Sequence, residues 1–262
     1  MIVQDNPAGG ARFCMTMEQH TAFADRLAAV FGNEVFAAVE DESVRYVIAH
    51  HDAGWRPVDA LVLINPETGL PYHLTQTPFE YTSKTMRGSP KFNGEHSALA
   101  GLLSSMHTAG LLNGQYGKSP PGILGRLQGD NKAFAEKVLE EQLAYQEEKR
   151  PELGIDDNTL WTAYKQLQFF DTLSLYFHCK AEGERGETDV HNVPTRAGDD
   201  VTITVIEREP GVYAAAPFPF NADGVEVYFE GRWLEPQDPA IDGPKLYDDT
   251  PVSRQTVRFV TG

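Results

Sequence analysis

The chain is poor in basic residues, in cysteine and in long apolar runs. Lys and Arg together number 22 against 38 Asp and Glu, a net charge of −16 over 262 residues. That balance excludes the basic surface that nucleic acids or anionic lipids need. No apolar run reaches the roughly 18 residues of a transmembrane helix. The start, MIVQDNPAGG, has neither a basic segment nor the apolar stretch of a secretory signal. Two cysteines, Cys14 and Cys179, are too few and too far apart for a CxxC site, and they are expected to be buried thiols in a reducing cytoplasm. Also missing are a GxGxxG turn behind a strand, a Walker A loop, an HExxH helix and a GxSxG elbow.

What is present suffices for a packed core, with 41% of residues apolar. The pattern changes near residue 180. Before it, apolar residues recur at helical spacing. After it, short runs such as VTITVIE (201–207), VEVYFEG (225–231) and TVRFVTG (256–262) alternate as strands do, separated by Pro and Gly. The expected fold is therefore mainly α: a helical bundle over 1–180 with a small antiparallel β extension over 185–262 packed on it.

Thr16-Met17-Glu18-Gln19 fits a capping box, and the helix behind it aligns His20, Phe23, Ala24 and Leu27. A second helix over 43–52 aligns Val44, Val47, Ile48 and His51. Residues 53–94 read as a long turn-rich loop. Further helices are expected over 95–111, carrying His96, Met106 and His107, over 131–149, closed by Pro151, and over 158–178, carrying Tyr164, Asp171 and His178.

Three polar features occupy faces that should be apolar. His20 and His51 lie on buried stripes, with Asp52 directly after His51, and Asp171 interrupts LQFFDTLSLYF. A lone buried carboxylate costs several kcal/mol, so Asp171 requires a partner. One divalent ion explains all four residues, because it takes imidazole nitrogens and carboxylate oxygens converging from separate helices. His107, mid-helix beside small residues, is a candidate fifth ligand or catalytic group. His96 lies about 16 Å from His107 on a straight helix, too far to share a compact centre, and reads as a pocket residue.

Lys84, Arg87 and Lys91 form a local basic cluster without an intervening acid, and Arg56 follows the His-Asp doublet closely. With Lys165, these cations are candidates for holding an anionic small-molecule substrate.

The order His20, then His51-Asp52 as a doublet, then a distant Asp171 resembles the HD superfamily of metal-dependent phosphohydrolases. The segments HDAGW, SMHTAGL and QFFDTLSLY are similar to an uncharacterised bacterial HD-like family. The resemblance implies an all-helical bundle whose quartet holds one Mn, Fe, Co, Ni or Zn ion and hydrolyses a phosphate ester, with Asp52 as a ligand. The family's usual acid close behind the doublet is missing, and Asp59 is the nearest substitute. An HD-type oxygenase with two irons, recruiting His107 and then His96, and a non-catalytic ligand-binding protein are the competing readings. Oligomerisation stays open.

Overall fold

A computed structural model describes residues 1–6, 9–115 and 122–262. Strands β1 (Ile2–Val3) and β2 (Arg12–Met15) lead into helices α1 (Met17–Val30) and α2 (Glu42–His50). A 3₁₀ turn over Ala53–Trp55 and a short α3 (Arg56–Asp59) follow. The long helices α4 (Phe79–His96), α5 (Ala98–Asn113), α6 (Gly129–Leu153) and α7 (Asp157–Cys179) complete the helical layer. Strands β3 (Glu187–Pro194), β4 (Asp200–Glu209), β5 (Val212–Ala216) and β6 (Val225–Leu234), the short α8 (Gly243–Asp249) and strand β7 (Ser253–Thr261) end the chain.

The expected helical bundle with a small antiparallel extension is not what forms. The strands make one seven-stranded mixed sheet, ordered β1-β2-β6-β7-β5-β4-β3, with β5 and β7 parallel. The fold is α/β. The N-terminal strands escaped the sequence reading because two and four residues carry no measurable alternation. They are strands because β6 offers β2 a free edge, with Phe13 opposite Trp233. Helices α1 and α7 lie against the sheet, and the main apolar core runs from Phe23 and Leu27 through Phe177 to Phe229 and Phe259. Each Phe buried this completely contributes about 1.5–3 kcal/mol.

The segment 53–94 is not a continuous loop either. Gly88, Ser89 and Pro90 favour turns by local propensity, yet they lie inside α4. The small residues serve packing: Gly54 donates its backbone N–H to Ser89 Oγ at 3.0 Å, so the 3₁₀ turn lies almost on the helix backbone. A Cβ on Gly54 would stand 2.6 Å from Ser89 N and 2.8 Å from Thr85 O. Gly54→Ala is therefore expected to destabilise the protein by about 1–3 kcal/mol through overpacking. A urea midpoint equal to that of the parent protein would contradict this close approach.

Helix α4 ends at His96, and Ser97, in extended conformation, caps α5 by accepting from Ala100 N. His96 and His107 thus lie on different helices. Helix α6 continues through Pro151 to Leu153. Among the described residues no helix is long and apolar enough to cross a membrane.

Both cysteines are free, Cys14 buried and Cys179 partly so. Burial pushes the Cys14 thiol up to about 12 and the Cys179 thiol up to about 11, the latter helped by Asp171. The thiolate is the reactive species, so at pH 8 alkylation of the native protein should run at least ~100-fold slower than in denaturant. Equal rates in a timed iodoacetamide experiment would contradict the burial.

Candidate metal centre

Helix ends and caps place the first donors. The capping box forms as the sequence predicts: Thr16 Oγ1 accepts from Gln19 N, and Gln19 Oε1 accepts from Thr16 N at 2.9 Å. His20 enters the next turn fully buried. Helix α2 is capped by Asp41 and stops at His50, leaving its last carbonyls open. His51, the C-cap residue, donates Nδ1–H to one of them, Ile48 O at 3.0 Å. That bond fixes the tautomer and leaves Nε2 bare. His51 Nε2 is fully buried and has no hydrogen-bond partner.

Asp171 stands in the middle of α7, buried between Phe170 and Leu173. His107 stands in the middle of α5, a helix buried on nearly every side because α2, α4, α6 and α7 pack around it.

These side chains converge. His20 Nε2 lies 3.3 Å and His51 Nε2 3.5 Å from Asp171 Oδ1. His51 Nε2 is 3.6 Å from Asp52 Oδ2, and His107 Nε2 is 4.0 Å from Asp171 Oδ2. Two overlapping donor groups result, His20-His51-Asp52 and His51-His107-Asp171. Metal–ligand bonds of about 2.0–2.2 Å put neighbouring donors roughly 3.0–3.6 Å apart, and the first three separations fall in that interval. An orphaned, buried imidazole nitrogen facing two carboxylates fits a cation. Burial works to lower the His51 pKa, but Asp52, Asp171 and the Ile48 carbonyl together raise it above the ordinary value. Carboxylates that favour a proton on this nitrogen favour a metal ion there for the same reason.

Asp52 is the most accessible of the five, its side chain 14% exposed against 5% for Asp171 and 0% for His51. Two surface clefts, one along Trp233, Arg254 and Arg258 and one along Arg12, His73 and Cys179, include none of the five. Access is therefore on the Asp52 side.

The other residues singled out from the sequence lie elsewhere. Asp59 is buried and spoken for, accepting from the Met1 amino group at 2.7 Å and from Met17 N at 2.6 Å. His96 is turned outward and stacks flat on Tyr46, centroids 3.5 Å apart. Arg56 pairs with Glu18 at 3.0 Å and covers the Phe92 ring. Arg87 pairs with Glu141 at 2.6 Å, Lys165 with Asp200 at 2.6 Å, and Lys84 lies over Tyr81. These cations are engaged by neighbouring acids or rings rather than gathered at the centre.

Sequence reasoning left one residue of the centre without a partner. His178 Nδ1 lies 3.0 Å from His20 Nδ1, and His178 is completely buried. It follows Asp171 by seven residues, two turns along the same helix face, and that spacing was the available signal.

The sequence signature described as "Protein of unknown function (DUF3891)" matches residues 1–236. No curated protein and no solved structure matches the chain. The HD resemblance is overturned on two grounds: the family match carries no HD-domain evidence, and a seven-stranded mixed sheet is foreign to an HD helical bundle. Four residues in HD-like order carried the resemblance, and order alone does not specify the scaffold that brings them together. Most of the chain is covered by the match, and it belongs to the DUF3891 family.

Proposed function

We propose that the chain is a metal-dependent hydrolase of a small phosphorylated molecule. The observation that carries the reading is the convergence of His20, His51, Asp52, His107 and Asp171, with His51 Nε2 bare and buried. His20, His51, Asp52 and Asp171 would hold one divalent transition ion, whose two charges the two carboxylates balance. Such an ion supplies Lewis-acid activation of water toward a phosphoryl group. Asp52, at the accessible rim, takes up the proton of the attacking water. His107, whose Nε2 stands farthest from Asp171 and which starts protonated, gives its proton to the leaving oxygen, and the proton held by Asp52 replaces it to close the cycle. Arg56 follows Asp52 by one turn, and its exposed pair with Glu18 belongs to a class worth only about 0–1 kcal/mol, so a phosphate can displace it.

The two overlapping donor groups favour a second reading, a two-iron oxygenase. His51 counts against it. With Nδ1 bound to Ile48 O, it has one lone pair and serves one ion. The test is phosphate release from a panel of phosphate monoesters and diesters by protein loaded with Mn, Fe, Co, Ni or Zn. Release that disappears with chelator and in His51→Ala supports the hydrolase. A loaded protein that cleaves none of the panel overturns it.

A further inference from the structure

His20 and His178 meet beside the centre. Their Nδ1 atoms are 3.0 Å apart, and the rings stand at 72°. Two imidazole nitrogens at that distance share one proton, so one ring donates and the other accepts. Which ring donates decides what His20 offers on its far side, where Nε2 faces Asp171 Oδ1 at 3.3 Å. If His20 donates, Nε2 is bare and able to ligate. If His178 donates, His20 carries its proton on Nε2 and hydrogen-bonds Asp171, which closes the centre to a cation. The exchange moves both protons within the pair and changes no net charge.

The surroundings of His178 are aromatic. Phe23 and Phe229 pack on it with ring centroids 5.1 Å and 4.6 Å away. Its Nε2 makes no hydrogen bond, so neither tautomer is fixed from that side.

We infer that His178 is the positioning residue of the centre, a tautomer partner that accepts Nδ1–H from His20 and so presents a bare His20 Nε2 when a cation is taken up. The inference rests on the metal reading above and adds to it a residue that touches no ion. Residues that orient a ligating imidazole through its other nitrogen typically account for about 10–100-fold in metal affinity.

The experiment is a Zn²⁺ titration of the parent protein, His178→Leu and His178→Asn, with ¹⁵N imidazole spectra of the Zn-loaded parent. Asn places Oδ1 near the position of Nδ1 and keeps the acceptor, and Leu removes it. Zn²⁺ affinity should fall about 10–100-fold in His178→Leu and recover to within about threefold in His178→Asn. The spectra should show His20 protonated on Nδ1 and His178 on Nε2. Equal affinity of the parent and the Leu variant, an Asn variant as weak as Leu, or a Zn-loaded His178 protonated on Nδ1 overturns the inference. A parent protein that takes up no Zn²⁺ overturns the metal reading instead. The spectra of the parent decide the matter if the Leu variant does not fold.

Discussion

Asp171→Asn is expected to remove the protein's hold on a divalent ion while leaving the metal-free fold almost intact. The substitution keeps shape and polarity but removes the negative charge that His20, His51 and His107 face. Losing one partner of a buried charge interaction costs about 3–5 kcal/mol, which corresponds to roughly 10²–10⁴ in affinity. Without metal, the variant should unfold within about 1 kcal/mol of the parent, since an amide oxygen still serves the neighbouring donors. The two proteins should part when metal is added. Ion at 100 times its dissociation constant stabilises the parent by about 2.7 kcal/mol through linkage, and the variant should gain almost nothing. Thermal unfolding with and without ion reads both quantities. Equal stabilisation of the two proteins would make Asp171 a structural residue.

Phe177→Ala is expected to cost about 3–5 kcal/mol, the range for deleting a fully buried aromatic ring. Phe177 has no exposed surface, and Phe23, Tyr213 and Phe259 surround it at centroid distances of 5.7, 4.8 and 5.7 Å. It joins α7 to the sheet, with the Arg185 guanidinium 5.4 Å from its ring. Phe23 packs on both Phe177 and His178 and would lose that support, so metal affinity should fall along with stability. Urea unfolding measures the first effect and a metal titration the second. A loss below 1 kcal/mol would mean that the core collapses around the gap.

The candidate donors were legible in the sequence because helical periodicity exposes polar residues on apolar stripes. His20, His51 and Asp171 interrupt such stripes, and Asp52 and His107 follow from neighbourhood. The scaffold was not legible. Strands β1 and β2 are too short to alternate, and their pairing with β6 joins residues more than two hundred positions apart. Helix α4 was hidden because Gly88, Ser89 and Pro90 are turn residues by local propensity, and close packing against Gly54 overrides that propensity. Distance in the chain also separated His20 from His178, since no local pattern links two helices 158 residues apart. The surface cations misled for a simple reason. Charge clustering in sequence says nothing of the acids that another element brings, as Glu141 does for Arg87 and Asp200 does for Lys165.

The central claim is that one divalent ion is bound by side chains from α1, the end of α2 and α7. Anomalous diffraction from metal-supplemented crystals, recorded at the Mn, Fe, Co, Ni and Zn edges, tests it most directly. The account predicts one peak per chain, within bonding distance of His20 Nε2, His51 Nε2 and the carboxylates of Asp52 and Asp171. A metal-supplemented crystal with no peak there, or with its only peak at the half-buried His50 and exposed His96 rings, would contradict it.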